Sequence, residues 1–482
     1  MRKFEIKMAL LMSVITVALS ACASSPEKKS GDNNITTSTV EIPLISDVIN
    51  VDEQQLYPQH WTSKLRSPSK ALMTTAQITE FNKKLFNDNP HIIEPLSLPA
   101  SYTKKALLAQ LESISALPSS DRFYFDGKKV SAQDYEKYIT LLNKKAIKTN
   151  NLVKFALVTK RSNLRTFPTF DAIYKKGKDR DLDRFQESGV FPGDVLAVLH
   201  HSVDGKWALV RAYNYLAWMP SEDFAIGTEA DIINYRSSKN FIVITGAKVF
   251  TNHVPGYPEI SNLQLDMGTK LPLVTRKLYG NELYGQNPYA NYIVQLPIKN
   301  TQGELDFIFA PVPRGQDVNV GYLAYTEQNL IQQSFKFLGE RYGWGHSYNG
   351  RDCTGFVGEI YKSFGLLMPR NSGQQGKGGY GLNTRFANNT NDSAKINRID
   401  NLLVGDLIYI SGHVMMFLGN ENGQPYVIHD VKGLGYLKED GQLYRGTLNG
   451  VSVTPLLPLH LNAEKSYVDD IYNVKTIRAV NK

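Results

Sequence analysis

The two cysteines and nine histidines hold most of the capacity for nucleophilic chemistry in this 482-residue sequence. Cys353 opens an apolar run in which Phe356, Val357, Ile360, Tyr361 and Phe364 follow at helical spacing, so the cysteine is expected at the first position of an amphipathic helix. A thiol attacks as the thiolate, and at an ordinary pKa of about 8.5 little of it is ionised near neutral pH. A helix N-terminus and a neighbouring imidazolium both favour the anion, so this placement is expected to lower the thiol pKa. His413 and His429 lie downstream, His413 at the mouth of the apolar run Val414–Phe417 and His429 after Tyr426, Val427 and Ile428. A base on one strand and an orienting polar group on its neighbour complete a nucleophile–base–orienter set. Asp352 opposes the thiolate, and reads either as the N-cap of the helix or as the partner of a substrate cation. Cys353 also admits the plainer reading of a small buried core residue. His346 and His460 fall outside the pattern and receive no role.

Two cysteines cannot build a disulfide framework or a Cys-rich zinc site, and the sequence has no H-E-x-x-H; no metal or cofactor is expected. The 54 Lys and Arg exceed the 46 Asp and Glu by eight. That excess is too diffuse to suggest nucleic acid as a partner. Residues 376–381 match G-x-G-x-x-G without a preceding strand and are expected to form a loop beside the cleft. The S-x-x-K at 67–70 sits in a Pro-containing polar stretch and is set aside.

With 42% hydrophobic and 21% charged residues, the chain has an ordinary globular composition and room for three or four domains. Residues 1–21 carry Arg2, Lys3 and Lys7 ahead of an apolar run too short to span a bilayer, the form of a secretory signal. Residues 22–49, rich in Ser, Lys, Asn and Thr, form a flexible tether. Residues 50–150 read as helical, with Leu107, Leu108, Leu111 and Ile114 on one stripe of a helix over 103–117. Ser131 and Asp134 form an acidic capping box ahead of Tyr135 and Tyr138. From about 151 the period becomes alternating. Short strands at 155–159, 195–199, 207–210 and 215–219 fall in 151–230. A second series at 241–245, 270–274, 292–296 and 321–325 falls in 231–325. The similar segments 215–218 and 322–325 close the two series, which suggests two copies of a small all-β barrel. Trp207, Trp218 and Tyr213 read as barrel core. Residues 326–482 return to helix first, over 327–340, and strands afterwards. The fold class is thus multidomain α+β, with a helical N-terminal region, two small barrels and a C-terminal α+β domain.

Several blocks carry a resemblance. Asp352-Cys353-Thr354-Gly355-Phe356-Val357, Met368-Pro369-Arg370-Asn371-Ser372 with Gln375, Gly405-Asp406-Leu407-Ile408, Gly412-His413-Val414 and His429 resemble the NlpC-type, papain-like cysteine peptidases of bacterial cell walls. The layout of a helical region and two Src-homology-3-like barrels before that domain resembles the γ-D-glutamyl-L-diamino acid endopeptidases of murein peptides. The resemblance implies that Cys353 is the nucleophile, His413 the general base and then acid, and His429 the residue that orients it. Tyr342, at the place of the family's pre-nucleophile Tyr, is implied to assist the oxyanion, and Trp344 of the same loop and Thr354, where Ser is usual, are further candidates for oxyanion or substrate binding. The resemblance also implies that an aromatic and a carboxylate of the first barrel, with Asp352, hold the free amine of L-Ala. Tyr215 is the candidate aromatic and Glu187 a candidate carboxylate. The segment ending Leu19-Ser20-Ala21-Cys22 resembles the lipobox of bacterial lipoproteins. That implies acylation of Cys22 and a lipid-anchored protein of the cell envelope, on the outer membrane facing the periplasm, since Ala23 is not an inner-membrane retention Asp. Murein peptides and the membrane are the expected partners, and a monomer the expected state. Alternatives are the same triad cutting the muramoyl–L-Ala amide or a cross-bridge, or a wall-binding lipoprotein without catalysis.

Overall fold

Alternating apolar residues build the sheets, and every helix of eight or more residues opens on a side-chain cap. The computed structural model describes residues 44–176, 180–387 and 390–479. The leader, the lipobox with Cys22, and the tether up to residue 43 lie outside the described residues. Among those described, no helix is long and apolar enough to cross a membrane. Residues from Leu44 onward form one compact unit.

The helices of 50–150 build no common core among the described residues. Trp61, Met73 and Ile78, on and beside the helices Pro58–Thr62 and Thr75–Asp88, pack into the C-terminal core. Leu107, Leu111, Tyr138 and Leu142 cover one face of the first barrel. Burying each such side chain is worth about 1.5–3 kcal/mol, which fixes each helix to the domain it covers. Ser131 and Asp134 form the expected capping box on Ala132–Leu141. The helix expected over 103–117 is Lys104–Ile114 and ends early. Ser115, just past its end, donates to the Thr166 carbonyl and accepts from the Trp218 indole, bonds that further winding would break.

Seven antiparallel strands form the first barrel, in the spatial order Gln186–Val190, Ser162–Arg165, Leu216–Pro220, Trp207–Arg211, Val195–His201, Lys154–Val158, Phe224–Gly227. Leu196 and Val198 face its interior, while Ala197 and Leu199 face the helices. Trp207 and Trp218 are buried, as read. In 231–325, Phe241–Ile244 pairs with both Lys270–Pro272 and Val318–Val320, accompanied by the hairpins Lys248–Phe250/Gln264–Asp266 and Asn291–Lys299/Leu305–Pro313. Ile242, Ile244, Leu265, Leu271, Val294 and Val312 share its core. The expected closing strand at 321–325 is absent: Val318–Val320 is the strand, and 321–325 leaves the sheet. Tyr325 instead packs at a tilt against Tyr361 and Phe364, and its hydroxyl donates to the Ile477 carbonyl. The similarity of 322–325 to 215–218 therefore does not reflect equivalent places.

In the C-terminal domain the first helix is Glu327–Phe335, shorter than the expected 327–340. Gly339 turns at φ +79°, after which the chain runs beside Leu443–Pro455, with Gly339 N–H on the Val451 carbonyl and Tyr342 N–H on that of Asn449. A second helix, Cys353–Lys362, packs on a six-stranded antiparallel sheet ordered Leu382–Arg385, Asn473–Thr476, Leu407–Ile410, His413–Glu421, Gln424–Leu437, Leu443–Pro455. The expected loop at 376–381 begins inside the short helix Ser372–Lys377. There Gly376 is required, because a Cβ would lie 2.2 Å from the Tyr472 hydroxyl.

Candidate functional site

The nucleophile helix begins at Cys353 because Asp352, in extended backbone, caps it through the Gly355 N–H at 2.9 Å. Phe356, Val357, Ile360, Tyr361 and Phe364 are all buried at its core face. Cys353 is 7% exposed and packs against the face of the sheet that carries Val414, Ile428, Val451 and Val453. The backbone N–H of Val414 points at its sulfur.

Strand pairing brings the two histidines together. Met416 pairs with Ile428 across adjacent strands. His413 Nε2 then lies 2.8 Å from His429 Nδ1, and His429 Nε2 lies 3.0 Å from Thr454 Oγ1 on the next strand. Two proton assignments satisfy the chain, and in the one that suits a base His413 Nε2–H donates to His429 Nδ1 and His429 Nε2–H donates to Thr454. It leaves His413 Nδ1 as an unprotonated base. Burial lowers the pKa of His413 to about 4 and that of His429 well below the usual imidazole value. For Cys353, burial first and the Asp352 charge second push the thiol up. The expected lowering of the thiol pKa is thus reversed. Desolvation and the Asp352 charge outweigh the Val414 N–H, and both shifts favour a neutral thiol–imidazole pair.

Asp352 accepts five hydrogen bonds. Its Oδ1 takes Gly355 N, Thr354 Oγ1 and Arg370 Nη1, and its Oδ2 takes Arg370 Nη2 at 2.7 Å and Gly345 N at 3.0 Å. Burial alone would raise its pKa, but the Arg370 guanidinium holds it well below the usual carboxylate range. A carboxylate has about four lone-pair sites, so Asp352 is full. Of its two expected readings the capping role is seen directly, and the cation beside it in this structure is Arg370. In the sequence Arg370 stands out only as a member of the Met368–Ser372 block. A lone arginine between Met368-Pro369 and Asn371 in an apolar neighbourhood was the available signal.

The first barrel meets this helix along one edge. Its outermost strand, Gln186–Val190, has an edge free of further strands, and the loop before the nucleophile covers it. Gln186 Nε2 donates to the Gly345 carbonyl at 2.7 Å, Trp344 Nε1 donates to the Gln186 carbonyl at 3.0 Å, and Arg370 Nε donates to Ser188 Oγ at 2.8 Å. Between these contacts, Glu187 accepts from Tyr215 and from Thr166, and Asn371 is bonded to the same Tyr215. Tyr215 and Glu187 are therefore one unit at the barrel edge. Burial pushes the Glu187 carboxyl up. Gly345 needs both its left-handed φ of +57° and its missing Cβ, which would come within 3.0 Å of Gln186 and Glu187.

Tyr342 is buried, and burial first and the nearby sulfur of Cys353 second push its phenol up. His346, given no role above, sits in left-handed backbone at φ +69° with Nε2 3.0 Å from Glu359, and is a clamp of the loop. His460 bonds only locally, to the Asn462 carbonyl. Asp430, next to His429, is fully buried, and neither carboxylate oxygen has a hydrogen-bond partner among the described residues. Burial, then the charges of Asp352 and Glu340, raise its pKa well above the usual value.

Comparison with known proteins places names beside these features. The family model described as SH3 domain (SH3b1 type) matches residues 168–220, and that of the NlpC/P60 family matches residues 339–445. A gamma-D-glutamyl-L-lysine dipeptidyl-peptidase of Bacillus cereus is 26% identical over 240 residues, 48% of this chain and 61% of that protein. One of the same name from Bacillus subtilis is 33% identical over 87 residues, 18% of this chain and 24% of that protein. The chain thus matches less than two thirds of the length of either relative. The solved structure of an NlpC/P60 endopeptidase from Photobacterium damselae subsp. piscicida superposes with a TM-score of 0.69, covering 87% of this chain and 96% of that one, at 16% identity. It shares the fold.

Proposed function

The chain carries an NlpC/P60 domain with an SH3 domain of the SH3b1 type before it, and from this we propose that it hydrolyses the γ-D-glutamyl–diamino acid bond of murein stem peptides by a thiol mechanism. The observation that supports it most is that the sulfur of Cys353, at its helix start, meets the N–H of Val414, the neighbour of His413, which opens the His413–His429–Thr454 chain. In this reading His413 Nδ1 takes the thiol proton as Sγ attacks the γ-carbonyl carbon. The tetrahedral oxyanion is met by the Cys353 N–H with help from Tyr342. The C–N bond then breaks, and His413 returns the proton to the leaving α-amine of the diamino acid. Water, activated by His413, cleaves the thioester and regenerates the thiol. A pair that rests neutral moves its proton during attack rather than before it.

The free amine of L-Ala falls to Glu187 and Tyr215, since Asp352 has no lone pair to offer. Asp352 and Thr354 instead hold Arg370 against the barrel edge. A buried carboxylate that awaits an ammonium disfavours peptides lacking one, because the charge is then left unpaired. The names borne by the two Bacillus relatives support a γ-D-glutamyl bond as the target. The sequence alone supports Cys22 as the lipid-bearing residue and the periplasmic face of the outer membrane as the location. The direct test is digestion of L-Ala-γ-D-Glu-diaminopimelate and its N-acetyl form. Release of diaminopimelate from the free-amine peptide, with kcat/KM at least about 100-fold lower for the blocked one, fits the reading. Equal rates refute the amine site, and release of muramic acid from muropeptides points to an amidase instead.

A further inference from the structure

The reaction above gives the second β-region, residues 231–325, nothing to do. We propose that Asp266, on its strand Gln264–Asp266, is a positioning residue that holds Arg351, and through it the turn Arg351–Asp352–Cys353, in the geometry attack requires. The proposal rests on the reading of Cys353 as nucleophile.

Arg351 lies two residues before the nucleophile and is fully buried. All five of its N–H donors are used. Nη2 donates to Asp266 Oδ1 at 2.7 Å and to the Ala247 carbonyl at 2.9 Å, both in the second β-region. Nη1 donates to both oxygens of Glu340 at 2.9 Å, and Nε donates to Glu359 Oε2 at 2.9 Å. The planar fork is thus bound on every side and cannot turn. Its own carbonyl accepts the Gly343 N–H at 2.6 Å, which ties the same residue to the loop of Tyr342.

Asp266 is itself fixed. It is fully buried, accepts from Gln264 Nε2 at 3.1 and 3.2 Å, and lies 3.4 Å from Arg161 Nε of the first barrel. Arg161 in turn donates to the His346 and Gly350 carbonyls. Gln264 and Asn349 bond one another at 2.7 Å in both directions. One strand of the second β-region therefore grips the pre-nucleophile loop at Asn349 and Arg351. A buried ion pair is a poor device for stability alone, since apolar replacements often match it. It is a good device for fixing one orientation, and the residue it orients is two positions from Cys353.

The test measures kcat and KM on L-Ala-γ-D-Glu-diaminopimelate, and the iodoacetamide alkylation rate of Cys353, for the full chain and its variants, with folding followed by circular dichroism. Asp266→Asn is expected to lower kcat about 10- to 100-fold with KM held within about twofold, and to slow alkylation at least about threefold. Asp266→Glu, which keeps the charge, should recover most of the loss. In an Arg351→Met background Asp266→Asn should add nothing, because Asp266 acts through Arg351. Should Asp266→Asn fail to fold, Asp266→Ser, which leaves Arg351 on Glu340 and Glu359, takes its place, and that variant should be folded but slow. Wild-type kcat and alkylation rate in either folded variant overturn the proposal, as does no recovery in Asp266→Glu. If the wild type cleaves no stem peptide, the substrate reading fails by itself, and the alkylation rates still decide the role of Asp266.

Discussion

Asp352 and Asp430 are both buried carboxylates beside Cys353, yet the first accepts five hydrogen bonds and the second none. Asp352 stands where the helix, the pre-nucleophile loop and the first barrel converge, and Arg370 neutralises it. Asp430 stands on the sheet beside His429, where burial and the charges of Asp352 and Glu340 outweigh that of Arg351. Arg370 holds the first as an anion, whereas the second is pushed towards its neutral form. The contrast shows that burial beside a nucleophile does not fix a carboxyl's state; the donors around it do. It also separates two kinds of residue, one that builds the site and one that the fold tolerates.

The contrast can be broken from either side. The largest effect is expected from Arg370→Met, which leaves Asp352 buried without its cation. Such losses cost about 3–5 kcal/mol, read as a lower urea midpoint. The pH sign follows from the lowered pKa of Asp352: its contribution is full above the ordinary carboxyl range and is lost as pH falls towards the folded-state value. The gap between wild type and Arg370→Met should therefore narrow in acid.

Thr454→Val comes next. It leaves His429 Nε2–H buried and unbonded, at about 1–3 kcal/mol, and frees the imidazole that orients His413. A kcat loss of about 10-fold or more with little change in KM is expected; an unchanged kcat would mean His413 is held without the chain. Asp430→Leu is expected to go the other way and stabilise the fold by about 1–2 kcal/mol near pH 8. Because its folded pKa is raised, wild-type Asp430 is least costly below the ordinary carboxyl pKa and grows costlier as pH rises through the folded value. The gain should therefore shrink at pH 4, and destabilisation at pH 8 would show a hidden partner. The smallest effect is on the acid limb. With His413 lowered to about 4, the base stays unprotonated down to that range, so kcat/KM should fall as pH drops through about 4 rather than 6.5.

Local features of the sequence were legible, and long-range ones were not. Helical spacing after Cys353 gave the nucleophile helix, and alternation placed His413 and His429 on strands that prove adjacent. A capping box marked Ala132–Leu141 because both of its partners lie within four residues. Arg370 and Arg351 escaped notice because their partners come from separate segments. Arg351 reaches Asp266, which is 85 residues away. The end of the helix at Ile114 and the departure of Tyr325 from its sheet were decided by tertiary bonds to Trp218 and Ile477. The reversed thiol pKa had the same origin. A helix N-terminus can be read from sequence, whereas the burial that raises the thiol depends on what packs above.

The central claim is that Cys353 attacks the γ-D-glutamyl carbonyl with His413 as base. Its most direct test is mass spectrometry of L-Ala-γ-D-Glu-diaminopimelate incubated with wild type, Cys353→Ala and His413→Ala. Wild type should release L-Ala-D-Glu and free diaminopimelate and, when quenched in acid, carry an L-Ala-γ-D-glutamyl thioester on Cys353. Neither product nor adduct should form with Cys353→Ala, and His413→Ala should lose at least about 1,000-fold in rate. Hydrolysis by a folded Cys353→Ala protein would contradict the account.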